Sequence, residues 1–328
     1  YGEGGMVWIK SRGGANDHYI ADTERHDSTD YGMLASNLTA GQTFQAGLQS
    51  ASTTGFVLDG NVTQANRDGQ GPYTSWTFRK APGFFDIQTY TGNGVSGRTV
   101  AHNLESVPGC IMIKRTDSTE AWQVYHRSTG NTKGLRLDNN SAASTGTDYW
   151  NDTTPTSTVF TVGDRGGCNE DTATYVAYIF AHDDQIFGAD EDESIIKFGG
   201  YTGNSAGVPT VVQAISLGWE AQYVMLKKSS GASDWLIFDS MRGVPTGGDD
   251  CALEANDSAA EDCGNEYLSF TADGFQLNGA NMNYTGDEFI YMVIRRPMKV
   301  PTAGTEVFAV ASGLSGALDT TTNRVKFW

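Results

Sequence analysis

The sequence contains no residue pattern that assembles a known catalytic or metal site. Its five histidines are His18, His26, His102, His126 and His182, and none lies in the His-Glu-x-x-His or close His-x-His arrangement of a zinc site. There is no Gly-x-Ser-x-Gly elbow of a serine hydrolase. The 39 acidic residues allow too many carboxylate pairs for any one to indicate glycoside cleavage. We therefore expect a protein that is not an enzyme, with no catalytic residues, no metal ligands and no cofactor.

One stretch has the spacing of a nucleotide-binding loop. Gly92–Gly97 reads Gly-x-Gly-x-x-Gly, but the residues at 98–102 lack the periodicity of an amphipathic helix. The corresponding stretch at 203–207 loses the pattern. We interpret these glycines as turn residues with positive φ.

Acidic clusters could in principle bind a hard cation. They are Asp183–Asp184, the four residues at 190–193, and Asp249–Asp250. Clustered carboxylates suit Ca²⁺, but the fixed spacing of a calcium loop is missing, so solvated turns are the simpler interpretation. Calcium stays open as an alternative.

The cysteines are too few for a disulfide scaffold. Cys110 begins an apolar strand and is expected in the core. Cys251 and Cys263 could close a short loop, and the sequence does not decide whether they do.

Tryptophans could serve as core anchors or as platforms for sugar stacking. Trp122 and Trp235 recur at one position of a repeated pattern, where His18 stands in its first copy, which favours a core role. Trp150 lies in a polar stretch beside Asn151, which makes it the best candidate for an exposed glycan contact.

The strand pattern that would position these residues recurs three times along the chain. A five-residue apolar strand ends in a lysine at Met6–Lys10, Cys110–Lys114 and Tyr223–Lys227. In each copy, eight positions separate that lysine from the His or Trp that opens the next strand. The lysines are 104 and 113 residues apart. This self-similarity predicts a repeat of about 110 residues.

The repeat continues downstream of these strands. A Leu-x-x-Asn pattern, a Phe-x-aliphatic pattern and an aromatic closing strand follow in every copy, beginning at Leu34, Leu137, Leu253, Phe56, Phe160, Phe275, Trp76, Tyr175 and Phe289. Asp22 and Asp239 occupy the same repeat position, and an arginine follows each by three residues. We interpret that pair as a recurring structural ion pair or turn feature, in preference to an acid–base couple.

The predicted fold class is all-β, with three tandem antiparallel β-sandwich repeats, each of seven to nine strands around its own core. The unit boundaries are 1–83, 84–190 and 191–300, and 301–328 begins a further unit or forms a C-terminal strand segment. A connector that begins with 84–93 and 195–204 precedes the lysine-bearing strands of the second and third units. The first unit lacks it, so we expect residues to be missing between Gly5 and Met6.

Composition excludes several classes of function. The net charge of −17 repels a phosphate backbone, which argues against nucleic-acid binding. No run of 18 apolar residues exists, so no membrane span is expected. No secretory leader precedes the first strand.

Several strings in the repeats resemble those of phage tail-fibre-like virion proteins of marine and cyanobacterial phages. The strings are Tyr90–Gly94, Val7–Arg12, Trp122–His126 and Arg295–Met298. The resemblance implies a non-catalytic virion component on the extracellular surface of a phage particle, displayed in many copies.

The sequence therefore predicts a phage tail fibre, appendage or capsid decoration that mediates assembly or host attachment. Its expected partners are other virion proteins, copies of itself and a host surface glycan. A homotrimer is expected because this is the common state of fibre proteins. A carbohydrate-binding lectin-like adhesion module is the alternative, and a glycan depolymerase is the second alternative.

Overall fold

The computed structural model describes residues 4–296, except 28–29, 45–46, 53–54, 59–64, 68, 189–191, 206–211 and 279–280. It also gives one short strand pair within 318–325. Most of the predicted fourth unit, 301–328, therefore lies outside the described residues.

The regular secondary structure of the described chain is almost entirely β-strand, as predicted. The strands of 1–83 are β1 Gly5–Ser11, β2 Tyr19–Asp22, β3 Gly32–Ala35, β4 Thr43–Phe44, β5 Leu48–Ser52, β6 Gly55–Leu58 and β7 Tyr73–Arg79. Those of 84–190 are β8 Phe85–Thr91, β9 Arg98–Ala101, β10 Pro108–Arg115, β11 Gln123–His126, β12 Lys133–Gly134, β13 Ser144–Thr145, β14 Val159–Val162 and β15 Thr174–Ala181. Two four-residue helices, α1 Thr147–Trp150 and α2 Gly166–Asn169, interrupt them.

The remaining strands follow after residue 190. They are β16 Ile196–Thr202, β17 Gln213–Ser216, β18 Ala221–Lys228, β19 Leu236–Asp239, β20 Asp250–Glu254, β21 Asp262–Asn265, β22 Leu268–Thr271, β23 Gly274–Leu277, β24 Glu288–Arg295, β25 Leu318–Asp319 and β26 Arg324–Val325. No described strand crosses a predicted unit boundary, although the boundaries themselves stay a prediction.

Each predicted unit contributes one main sheet, and all the strand pairs are antiparallel. The sheet orders are β4-β3-β2-β1-β7, then β11-β10-β15-β8, then β16-β24-β18-β19-β20-β21. Smaller sheets, β5-β6, β14-β9 and β17-β23-β22, accompany them. The closing strand pairs with the lysine-bearing strand in the same register each time, so that Trp8 faces Trp76, Met112 faces Tyr178 and Met225 faces Met292.

The sequence pattern anticipated which strands have water on one face. β18 and β24 lie inside their sheet and are buried along most of their length, as their apolar runs predict. In β7 the buried residues Trp76 and Phe78 alternate with the exposed Ser75, Thr77 and Arg79, as predicted. The alternation fits because one face of the sheet at β7 packs on the core and the other faces water.

The expectation that each unit folds around its own core is wrong. One cluster of buried side chains contains Trp8, Met112 and Met225, one from each predicted unit. Phe78 of the first unit packs its ring against Phe180 of the second, with centroids 5.5 Å apart, and against Tyr223 of the third, at 6.3 Å. The inner faces of the three main sheets thus bury one another.

Side-chain alternation explains how one sheet serves two cores. In β18, Met225 belongs to the shared core, whereas its neighbours Val224 and Leu226 belong to a separate cluster with the small third sheet. Val7 and Ile9 likewise leave the shared core for a small outer cluster. Successive residues of a strand point to opposite faces, so β1 and β18 are each buried on both.

The expected interruption after Gly5 is also wrong. β1 runs through Gly5 and Met6 as one strand, and these residues pair in register with Arg79 and Phe78 of β7.

Candidate functional site

Three completely buried lysines form the most unusual polar feature of the fold. Lys10, Lys114 and Lys227 are each 0% exposed and lie on the inner faces of β1, β10 and β18. Burial lowers the pKa of each to about 8. Each Nζ donates a hydrogen bond to the carbonyl oxygen of the next residue, at 2.7, 2.8 and 2.5 Å. Such bonds offset part of the cost of burying an ammonium group.

Two of these lysines also join neighbouring units. Lys114 Nζ donates to Thr39 O of the first unit at 3.1 Å, and Lys227 Nζ donates to Asn140 O of the second at 3.3 Å. Lys10 makes its second bond within its own unit. The lysines therefore act as ties between backbone segments and are shielded from any external reactant.

The repeated tryptophans also join neighbouring units, through hydrogen bonds from their indole N–H groups. Trp122 Nε1 donates to Ala35 O at 2.9 Å, and Trp235 Nε1 donates to Arg136 O at 2.8 Å, so each indole reaches back into the preceding unit. His18, which takes this position in the first unit, instead accepts a hydrogen bond from an indole of its own unit at 3.0 Å. The core role predicted for these tryptophans is confirmed by their burial.

The predicted Asp–Arg pair of the first unit is confirmed and extends into the second. Arg25 Nε lies 2.7 Å from Asp22 Oδ2, with both side chains almost fully buried. Tyr178 Oη donates to the same Asp22 oxygen at 2.6 Å and accepts from Arg25 Nη2 at 3.0 Å. A desolvated ion pair needs such additional bonds to be tolerated.

The corresponding pair of the third unit joins it to the first. Arg242 Nε lies 2.6 Å from Asp239 Oδ2, which also accepts from Trp76 Nε1 at 3.0 Å. Arg242 Nη1 reaches Glu261 at 2.8 Å, and Arg12 of the first unit reaches the other oxygen of Glu261 at 2.7 Å. The pairs are thus parts of the contacts between units.

His126 occupies the same position in the second unit and joins it to the third. Its Nε2 lies 3.1 Å from Tyr291 O, and its Nδ1 accepts the Ser128 amide at 3.1 Å. Nδ1 therefore carries the lone pair and Nε2 the proton. Burial lowers the pKa of His126 to about 4. The side chains at this position connect first to second, second to third and third to first unit, which closes a ring.

Other histidines are acceptors in the same manner. His102 Nδ1 accepts the Leu104 amide at 3.3 Å, and His182 Nδ1 accepts the Phe198 amide at 3.0 Å. Burial lowers the pKa of His102, and it lowers that of His18 well below its usual range. The His102 and His18 rings are held neutral as structural groups.

The proposed glycan contact at Trp150 rests on an exposure that the structure contradicts. Trp150 ends helix α1, is 1% exposed, and donates from Nε1 to Lys133 O at 2.9 Å. Its ring packs edge-on against Tyr125, with centroids 5.7 Å apart. The polar residues around it form the surface, while the indole fills the second unit's interior.

The acidic clusters are partly neutralised by protein groups. Asp183 pairs with Lys197 at 3.1 Å, and Glu193 pairs with Arg295 at 3.1 Å. Asp250 accepts two backbone amides on one oxygen, at 2.7 Å each, and burial raises its pKa to about 6. Asp190 and Glu191 lie outside the described residues.

Cys251 and Cys263 form a disulfide, which settles the alternative left open by the sequence. Cys110 and Cys168 are free and buried, as expected for Cys110. Glu261 lies close to the disulfide, but its carboxylate already binds arginine side chains, and oxidised sulfur lacks the thiolate that binds metals.

Two reasons explain the glycines of the Gly92–Gly97 stretch. Gly94 and Gly97 have φ of 65° and 86°, which confirms the turn interpretation for them. Gly92 has no positive φ; a Cβ there would lie 1.9 Å from Glu170 O. Gly203 is constrained in the same way, by Tyr284 O at 2.1 Å.

A large open cavity lies on the outer face of the first main sheet. Its volume is about 870 Å³, and its lining includes Val7, Thr77 and Phe78 of that sheet and Leu48 and Phe56 of the β5-β6 hairpin. The walls combine apolar side chains with polar ones, among them Glu24 and Arg79. The cavity contains no paired carboxylates or histidines among its lining residues, so it offers a surface for packing.

A family model matches residues 3–296, and its description is a domain of unknown function, DUF7483. The chain belongs to this family. Neither the curated proteins nor the solved structures compared with it include a match. No helix in the described part of the DUF7483 chain is long and apolar enough to cross a membrane.

Sequence reasoning missed the role of the lysines. A lysine at a fixed position of three apolar strands was the signal, since lysine is almost never fully buried without partners. Their acceptors belong to loops far along the chain, which the strand pattern does not identify.

Proposed function

We propose that this DUF7483 protein is a non-catalytic structural protein of a phage virion, in a fibre, appendage or capsid decoration that serves assembly or host attachment. The observation that carries the structural role is the closed ring of bonds around one shared core, formed at Asp22, His126 and Asp239. The sequence resemblance described above supports the virion location.

The use of its titratable groups supports a non-catalytic role. A general acid or base must reach the reacting group of a substrate. Lys227, Lys114 and His126 have their pKa shifted strongly by burial, and each is bonded to backbone atoms inside the protein. These groups stabilise the fold and are shielded from solvent.

We further propose that the chain consists of three tandem sandwich copies of about 110 residues. The support is the common register in which Lys10, Lys114 and Lys227 face Thr74, Val176 and Ile290 of the closing strands. Three copies packed around one core form a rigid body, and a homotrimer of such bodies would present many equal surfaces. Weak contacts to host glycans or virion partners then gain strength through avidity.

The lectin alternative loses its main candidate for a glycan contact, because Trp150 is buried. No described feature favours a depolymerase over the structural role, so neither alternative is proposed here.

The test is immunogold electron microscopy of particles of the phage that encodes this chain, with antiserum against the purified protein. Gold at one fixed location on intact particles supports the proposal. Label confined to unassembled protein in the lysate refutes it. Light scattering of the purified 35.3 kDa chain tests the trimer separately, since a monomer at micromolar concentration would reject that part alone.

A further inference from the structure

The first main sheet has an open edge where the other two carry a further strand. β7 pairs with β1 and is the last strand of its sheet. In the other two sheets the equivalent strands, β15 and β24, pair on their far side with β8 and β16. These two outer strands come from the connectors that precede the second and third lysine-bearing strands. Among the described residues, no strand fills this position beside β7.

The second layer of the first unit is short of a strand in the same way. β6 pairs with β5 alone, but β14 pairs with β9, and β23 pairs with β17 as well as β22. β9 and β17 also belong to the connectors. The first unit therefore has both sheets but, in the described chain, neither of the connector strands.

The cavity coincides with this missing structure. In the third unit, Leu217 and Trp219 of the connector pack in one cluster with Val224 and Phe275. The matching residues of the first unit, by strand register and sequence pattern, are Val7 and Phe56, and both line the open cavity. The cavity thus lies on the residues that match the covered core of the third unit.

The solvent exposure of equivalent residues shows the same difference between the first unit and the other two. Ile179 and Val293 are 0% exposed, whereas Thr77, at the corresponding register position of β7, is exposed. An uncovered edge strand, here beside a groove that exposes apolar side chains such as Phe56, is a template for adding another strand.

We infer that the C-terminal segment of this chain, residues 305–328, adds a strand to the open edge of β7 and closes the ring of sheets in the same molecule. The sequence supplies the match. Val325-Lys326-Phe327 reproduces Ile196-Lys197-Phe198, which begins the strand that fills this position in the third unit.

The register of that strand fixes the expected pairing. Ile196 faces Ile294 and Phe198 faces Met292. Transferred to the first unit, Phe327 lies opposite Trp76, and Val325 lies opposite Phe78. Lys326 then lies opposite Thr77 on the outer face. In the structure, Arg324–Val325 pairs with Leu318–Asp319 in a sheet of their own, so one edge of this strand stays open for β7.

The path of the chain permits this closure. The third unit bonds to the first at Trp76 and Asp239, so the chain completes the ring at the unit where it began. From Arg296 to Val325 an extended chain spans about 90 Å at about 3.3 Å per residue. That exceeds the width of a folded body whose radius of gyration is about 20 Å.

The first test is a cysteine cross-link in the full chain. The variant Thr77→Cys/Lys326→Cys should form an intramolecular disulfide under mild oxidation, identified by peptide mass mapping of the monomer band. The control Thr43→Cys/Lys326→Cys places its partner on β4, at the opposite edge of the same sheet, and should give none. Absence of the first cross-link, or its appearance only between two chains, overturns the inference; the second result would identify exchange between copies.

Hydrogen exchange gives an independent test that needs no new disulfide. In the full chain, the β7 amides that do not bond to β1 should exchange at least tenfold faster in Val325→Asp/Phe327→Asp than in the natural sequence. Amides of β15 and β24 should be unchanged. Equal exchange in β7 overturns the inference. Because neither readout depends on a virion, both distinguish this inference from the proposed function.

Discussion

Acid should loosen the contact between the second and third units through His126. The ring is neutral and accepts an amide at Nδ1, so protonation places a second donor against the Ser128 N–H and breaks that bond. The folded pKa is about 4, against 6.5 for an unperturbed histidine. Because the folded pKa is depressed, the stabilising contribution is complete above pH 6.5 and is lost as the pH falls toward 4. At about 1.4 kcal/mol per pKa unit, the loss is about 3 kcal/mol.

The assay is urea unfolding, followed by fluorescence, at half-unit steps between pH 7 and 4. The total profile contains opposing contributions, because burial raises the pKa of Asp250 to about 6, and acid stabilises the fold through that group. The informative quantity is the difference between the natural chain and His126→Gln, which has no group to titrate there. The exposed His26 supplies the matched control, His26→Gln.

The difference in unfolding free energy between the natural chain and His126→Gln should shrink by about 3 kcal/mol across this range. The difference for His26→Gln should stay constant. A flat difference for His126→Gln would show that its ring is protonated equally easily in both states, and would refute the reasoning from burial and tautomer.

Four further predictions follow from burial and bonding. Asp239→Ala leaves Arg242 with Glu261 as its remaining carboxylate partner and leaves Trp76 Nε1 without its acceptor, and it should cost about 1.5–3 kcal/mol in urea unfolding, unlike removal of an exposed ion pair. Trp150→Ala should cost about 3–5 kcal/mol by the same measurement, and a glycan-binding loss without destabilisation would contradict its burial. Cys251→Ser/Cys263→Ser should lower stability by about 3 kcal/mol, and reductant should then have no further effect. The isolated segment 84–190 should show no cooperative thermal transition in calorimetry, because its inner face needs the neighbouring units.

The contact between the first and second units shows why the sequence spacing led to the wrong prediction of separate cores. Tyr178 reads as one residue of an apolar closing strand, and a strand of that kind needs cover on both faces. Spacing does not say whose side chains supply the cover. In the fold, its hydroxyl bonds to Asp22 and Arg25 of another unit. A local pattern predicts a buried face, whereas the partner of that face depends on how the sheets dock.

The sequence by itself determined the β-class and, for strands such as β7, β18 and β24, which faces are wet or dry, because side-chain alternation is local. It also identified Asp22 and Asp239 as the acidic partners of structural ion pairs, since their arginines lie only three residues away. Only the tertiary structure decided that the three units share one core, that Trp150 is buried, and that Lys114 and Lys227 tie units together. Each of these depends on contacts between residues far apart in the chain, whose energy appears only when the sheets pack.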